Sequence, residues 1–364
     1  MYARGALQLG ILFAVLYGLV SLFGASRLIG FFKLNSPEVI AQAEWYVRIA
    51  CGLVIFSYLN AILTGLLTAA GNSRTPFIVN VAGLVFNVVL DPVLIFGIGP
   101  FPELGVSGAA AATVTAQALV SLLFFKAVLR EKVLFPHLRL WVLVPVKVWR
   151  EIVRIGVPSA VQNLIYAGIS MILTRLITGW GDLAVAAQRV GSQIESVSWM
   201  VGDGFSAAVN AFLGQNYGAK RYDRVRRGYF CAIAMTAAWG LCTTFLLIGM
   251  ARPLFSIFLQ EEEVMALGVN YLRIVGLSQM FMMVEQTSIG AFSGLGRTLY
   301  PSIVSVTFTS ARIPVAVLLS SVMGLSGIWW ALSISSMVKG CILFVSFVVF
   351  LYVFLERKKD EKTV

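Results

Sequence analysis

Histidine is almost missing from this chain, which has one, His137. Cysteine is sparse: Cys51, Cys231, Cys242 and Cys341 stand singly inside apolar segments, with no CxxC pair. Isolated cysteines in such segments behave as small hydrophobes, so neither a disulfide framework nor a metal site is expected. Charge is scarce as well. Charged residues make up 12% of the 364 and apolar residues 59%, against about 25% and 45–50% in soluble domains. A soluble globule could not hide that much apolar surface, whereas a lipid-facing one need not. No GxxxxGKS or GxxxxGKT run occurs, which argues against ATP as a direct energy source. No aspartate-rich DDxxD motif occurs either, which argues against a membrane-embedded prenyl- or glycosyltransferase. An enzyme is not expected, and no cofactor is implied.

The net charge of +11 sits in short segments between apolar runs. That is the pattern of topology-setting charge, and a nucleic-acid partner is not expected. The N-terminus has no small-residue cleavage signature after a short apolar core, so a cleaved signal peptide is not expected. Segments long enough to span a bilayer, about 20 residues each, run over 6–32, 44–69, 76–99, 105–129 and 152–179. A second set runs over 184–213, 228–252, 265–293, 300–323 and 325–355. The expectation is an all-α polytopic protein of ten transmembrane helices, with 44–69 and 265–293 interrupted by polar groups. Lys and Arg alternate by side, gathering at Arg4, Arg74, the segment 126–154, Lys220–Arg227, Arg297 and the tail. This alternation puts both termini on the cytoplasmic side of the cell membrane. The expected organisation is a four-helix N-terminal bundle over 1–130 and a basic connector over 131–151. A six-helix C-terminal bundle over 152–355 and a basic tail over 356–364 follow.

The chain also repeats itself. Gly24 and Arg27 align with Gly249 and Arg252, Glu38-Val39 with Glu263-Val264, and Tyr46, Arg48 and Ile49 with Tyr271, Arg273 and Ile274. Further on, Gly71-Asn-Ser-Arg74-Thr75 pairs with Gly294-Leu-Gly-Arg297-Thr298, Pro92 with Pro314, and Ser107-Gly108 with Ser326-Gly327. Polar and glycine positions carry the match, which makes chance apolar similarity a poor explanation. An even number of helices separates the copies, so they are parallel repeats about an axis along the membrane normal. Helices 152–179 and 184–213 have no counterpart in the first copy. A twelve-helix, six-plus-six plan is therefore expected, with the first two helices not in this chain.

The run Gly71-Asn-Ser-Arg-Thr-Pro76, then Asn87-Val-Val-Leu-Asp91-Pro92, then Leu104-Gly-Val-Ser-Gly-Ala-Ala-Ala-Ala-Thr113 resembles the multidrug and toxic compound extrusion (MATE) transporters. So do Ala186-Ala187, Gln193-Ile-Glu195-Ser196 and Gly214-Gln-Asn-Tyr-Gly-Ala219 in the second half. The resemblance implies two pseudo-symmetric bundles facing a central cleft, and antiport of a cation inward for an organic, cationic or amphiphilic solute outward. The partners it implies are small organic solutes and the lipid bilayer, with the chain acting as a monomer. One branch of the family carries an acidic residue where Gln162 and Asn163 follow Gly156-Val-Pro158 here, which favours the DinF-like branch over the NorM-like one. A flippase for lipid-linked sugars from the same superfamily would need more membrane arginines than this chain has. A transport-inactive truncated protein also remains open.

A carboxylate inside the apolar core costs about 2.5–3.5 kcal/mol on insertion scales and is read as functional. Asp91 lies within the apolar run Val88–Phe96, with Asn87 one helical turn before it and Pro92 breaking the hydrogen-bond ladder beside it. Carboxylate, amide and freed carbonyl suit a proton or a sodium ion, and by resemblance Thr113 joins them. Glu195 and Glu285, with Gln162 and Asn163, are the candidate lining of the solute cleft, while Arg312 and Lys339 are expected to snorkel or pair structurally. The alignment places Ile313 opposite Asp91, so the cation site is expected in the N-terminal bundle alone. Gly214–Ala219 is read as a helix end turning into a cytoplasmic loop on a left-handed glycine.

Overall fold

A computed structural model of the chain describes residues 1–30, 36–130 and 142–355. His137, most of the expected connector and the basic tail 356–364 lie outside the described residues. Among those described, every regular element is helical. The order is α1 (Tyr2–Gly30), α2 (Pro37–Tyr46), a π-turn (Val47–Cys51), α3 (Ile55–Ala69), α4 (Arg74–Phe96) and α5 (Gly105–Arg130). Then come α6 (Val146–Thr178), α7 (Asp182–Gly218), α8 (Tyr222–Gly249) and the short α9 (Ala251–Ser256). The chain continues through α10 (Glu262–Gly276), α11 (Gln279–Gly294), α12 (Leu299–Ser310), α13 (Arg312–Met323) and α14 (Leu325–Phe350) to a last π-turn, Leu351–Leu355.

Among the described residues, seven helices are long and apolar enough to cross a membrane, counting α12 and α13 together. The α2–α3 and α10–α11 pairs, bent by 40° and 50°, bring the number to nine if each is one span. The segment expected at 184–213 is α7, the longest helix at 37 residues; Asp182, Arg189, Glu195 and Asp203 make it more polar than those nine. The polar interruptions expected at 44–69 and 265–293 are where the two bends fall. A π-turn and Gly52 break the first, and Gly276 and Ser278 break the second. The expected single helix at 300–323 is broken at Ala311, because Pro314 cannot donate to Ser310. Helix α6 starts at Val146, inside the stretch expected as connector.

The chain divides into two compact units, 1–153 and 154–364. In the first, Leu7, Leu63, Leu67, Val79, Val120 and Phe124 pack α1, α3, α4 and α5 together. Asn60 joins α3 to α5 by donating to the Gln117 carbonyl and side chain (2.9 and 2.7 Å) and accepting from Ser121 Oγ (2.8 Å). In the second, Tyr229, Phe292 and Phe347 stack among α8, α11 and α14, and Tyr271 meets the edge of Trp329.

The sequence repeat keeps one spacing as far as Leu94 and Leu319 once the turns are seen. Gly71 and Gly296 are both left-handed, with φ of 89° and 70°. Each closes the same turn, Asn72 N donating to Leu67 O and Arg297 N to Phe292 O, both at 2.9 Å. Gly71 therefore pairs with Gly296, not Gly294, at the spacing that already joins Tyr46 to Tyr271, and Pro76 then pairs with Pro301. Gly108 of α5 lies against the Leu94 carbonyl of α4, and Gly327 of α14 against the Leu319 carbonyl of α13. Leu94 and Leu319 keep that spacing too. The GQNYGA motif does end a helix, α7 stopping at Gly218, but the left-handed residue is Lys220 (φ 57°) and not a glycine of the motif, and Gly214 brings α7 against Gly294 of α11.

A side chain at Gly108 or Gly327 would collide with main chain. Gly108→Ala and Gly327→Ala should each cost about 1–3 kcal/mol, the usual range for overpacking. Gly65→Ala, where the added methyl meets open space, should not destabilise. Thermal unfolding of the purified protein in detergent compares the three, and equal midpoints would contradict the packing described.

Candidate functional site

In the first unit, Asn87 Nδ2 donates to Asp91 Oδ1 at 3.3 Å, and both side chains are half-buried. Pro92 has no N–H to give the Val88 carbonyl, so carboxylate, amide and a freed carbonyl do meet on one stretch of α4. Asp91 lies in the last two turns of the Arg74–Phe96 helix. One detail differs from the sequence reading. Thr113 is exposed on α5, and no hydrogen bond joins it to Asn87 or Asp91.

The second unit holds two adjoining cavities, about 360 and 310 Å³, which share Tyr166, Trp199, Arg312 and Ser336 in their walls. Glu195 lines the larger. Its carboxylate is buried and accepts three hydrogen bonds, from Trp199 Nε1 (3.1 Å), Tyr271 Oη (3.1 Å) and Gln279 Nε2 (2.9 Å). It pairs neither with Arg189 nor with any cation among the described residues. Glu285 lines the smaller cavity together with Gln162, Asn163 and Asp203. Its carboxylate is held by Lys339 Nζ at 2.7 Å, both side chains being buried. Lys339 therefore pairs in the interior and does not snorkel. All four expected cleft residues thus line these two cavities, but the charge of Glu285 is already matched.

Arg312 opens α13 and is also buried. Its Nε donates to Ser335 Oγ (3.1 Å) and an Nη to Ser336 Oγ (3.0 Å), and the guanidinium lies 5.9 Å from the Tyr166 ring centre. The Leu94–Leu319 register corrects the alignment here. Arg312 stands at the place of Asn87, and fully buried Ala316, not Ile313, stands at the place of Asp91.

Sequence reasoning missed Tyr166, Trp199 and Tyr271 because aromatics at helical spacing look like core. It also passed over Gln279 and Asp203, although an amide and an acid inside apolar helices were signals available to it.

With this geometry in view, the relatives are informative. The family model MatE matches residues 1–93 and 158–318, and the chain belongs to that family. It is 31% identical over 317 residues to the probable multidrug resistance protein NorM of Thermotoga maritima, covering 83% of this chain and 66% of that protein. It is 27% identical to the probable multidrug resistance protein YoeA of Bacillus subtilis, covering 88% and 70%. The chain thus spans about two thirds of the length of these relatives. Its fold matches that of a MOP superfamily transporter from Pyrococcus furiosus, with a TM-score of 0.87 at 20% identity, over 98% of this chain and 79% of that one.

Removing one partner of a buried ion pair leaves the other uncompensated, at a cost of about 3–5 kcal/mol, whereas replacing both is far cheaper. Lys339→Met alone should therefore destabilise the second unit strongly, and Lys339→Met with Glu285→Gln should recover most of the loss. Thermal midpoints of the single and double variants decide it; a double variant no better than the single one would show that the pair is not coupled.

Proposed function

We propose that the chain is a secondary active antiporter that exports organic, cationic or amphiphilic solutes in exchange for proton or sodium entry. It works as a monomer in the cell membrane with both termini on the cytoplasmic side. The carrying observation is the Asn87–Asp91 pair beside Pro92, an acid with one amide partner and a freed carbonyl in an apolar helix of a MatE chain. That set offers oxygen ligands and one negative charge to a small cation, with Thr113 on the neighbouring helix as a further oxygen. The solute belongs to the cavities of the second unit, where Gln162, Asn163, Glu195 and Glu285 supply polar contacts and Tyr166 and Trp199 supply aromatic surface. The names of the Thermotoga and Bacillus relatives support multidrug efflux as the role.

Energetics suits one coupling ion. A single charge crossing about 150 mV releases on the order of 3.5 kcal/mol. At about 1.4 kcal/mol per decade, that sustains a several-hundred-fold solute gradient.

Asp91→Asn keeps the shape and removes the charge. Cells expressing this variant should accumulate ethidium to the level of cells without the protein, while the variant inserts and melts like the wild type. Ethidium efflux that stays both undiminished and ion-dependent in Asp91→Asn would refute the assignment.

A further inference from the structure

Of four buried charges at the centre of the second unit, two form an ion pair and two, Glu195 and Arg312, have no oppositely charged group within ion-pair distance among the described residues. Lys339 has Glu285 at 2.7 Å, and the Glu195 carboxylate is spread over three donors. Arg312 is 6% exposed and has no carboxylate within ion-pair distance among the described residues. Two serine hydroxyls engage two of its five guanidinium N–H groups. It sits at the middle of the Leu299–Met323 span, where an unmatched charge is most costly. It also stands in the wall common to both cavities.

We propose that Arg312 is the anchor for a carboxylate carried by the solute, whose apolar or aromatic body lies against Tyr166 and Trp199. A guanidinium presents parallel N–H groups that suit a carboxylate bidentately, and such charge-assisted pairs strengthen out of water. The rest of the lining limits the negative charge a solute can bring. Arg312 shares the larger cavity with Glu195, and in the smaller one Arg312 and Lys339 stand with Glu285 and Asp203. A carboxylate therefore has Arg312 as its one cation free of an ion pair, and any further negative charge would meet the acidic side chains. The repeat gives the same answer from another direction. Where the first unit has Asn87 and Asp91, fit for a cation, the second has Arg312 and Ala316. This inference deepens the transport reading and rests on the second unit's cavities holding the solute.

The full chain, purified in detergent, is titrated with dansylglycine and with dansylglycine methyl ester, which differ only in the free carboxylate. Binding is read by energy transfer from tryptophan to dansyl. The wild type should bind the acid at least about tenfold more tightly than the ester, the worth of one charge-assisted hydrogen bond. Arg312→Lys should keep a reduced preference for the acid, and Arg312→Gln should bind both probes alike. Equal affinities in the wild type, no binding of either probe, or an undiminished acid preference in Arg312→Gln would each overturn the proposal. If Arg312→Gln does not fold, the wild-type ratio and the Arg312→Lys variant decide. No ion gradient is present in this titration, so its outcome is independent of coupling at Asp91; a failed anchor would leave the efflux result on Asp91→Asn standing.

Discussion

A charge held halfway through a bilayer must find its counter-charge, or an array of donors, inside the protein. In the second unit that requirement is met chiefly by the 2.7 Å contact between Lys339 and Glu285, which ties α14 to α11. Glu195 adds ties from α7 to α10 and α11 through Tyr271 and Gln279. The hydroxyl pairs Tyr229–Ser288 and Thr287–Thr236 fasten α8 to α11 within the same core. These polar contacts have few alternatives in an apolar surround, so they fix helix register more strictly than aliphatic packing does. The cavities lie beside this framework, where side chains satisfy one another and leave Arg312 with hydroxyls alone.

The two copies of the repeat share a scaffold and differ in chemistry. Both place a broken helix second, close its far end with a left-handed glycine, and set a glycine of the last helix on a carbonyl of the one before. Those are backbone features, and a side chain at the glycine contacts would force the helices apart. Charge is not part of what is shared. The acid and amide of α4 have a methyl group and a cation as their counterparts in α13. A duplicated frame can thus carry divergent interior residues without altering the path of the chain.

Most of the helices were legible from apolar runs, because a lipid environment forces every backbone group to bond within its own segment. The bends were legible too, since Gly276 and Ser278 interrupt an otherwise continuous run. Partner choice was not. Lys339 and Glu285 lie far apart in sequence, and nothing local says that they meet. Arg312 was expected either to reach for the interface or to pair structurally, and its place at mid-span, bonded to Ser335 and Ser336, leaves the second. The proline alignment misled as well. Pro92 and Pro314 look equivalent, yet the glycine contacts show that each copy broke its ladder at a different turn. Thr113 came from motif likeness, and its exposed side chain shows no bond to the acid it was grouped with.

Burial and bonding separate the two candidate sites. Asp91 lies six residues past the midpoint of α4, about 9 Å along the axis at 1.5 Å per residue. It has one long hydrogen bond and is half-buried. An acid so placed has few bonds to break when its surroundings change. Glu195, Glu285 and Lys339 are buried and bonded at 2.7–3.1 Å, so releasing any of them means breaking close polar contacts out of water. Rapid exchange is what a coupling ion needs, and a persistent, polar-lined chamber is what a solute site needs. The proposed division of labour between the units rests on how tightly each holds its own charges.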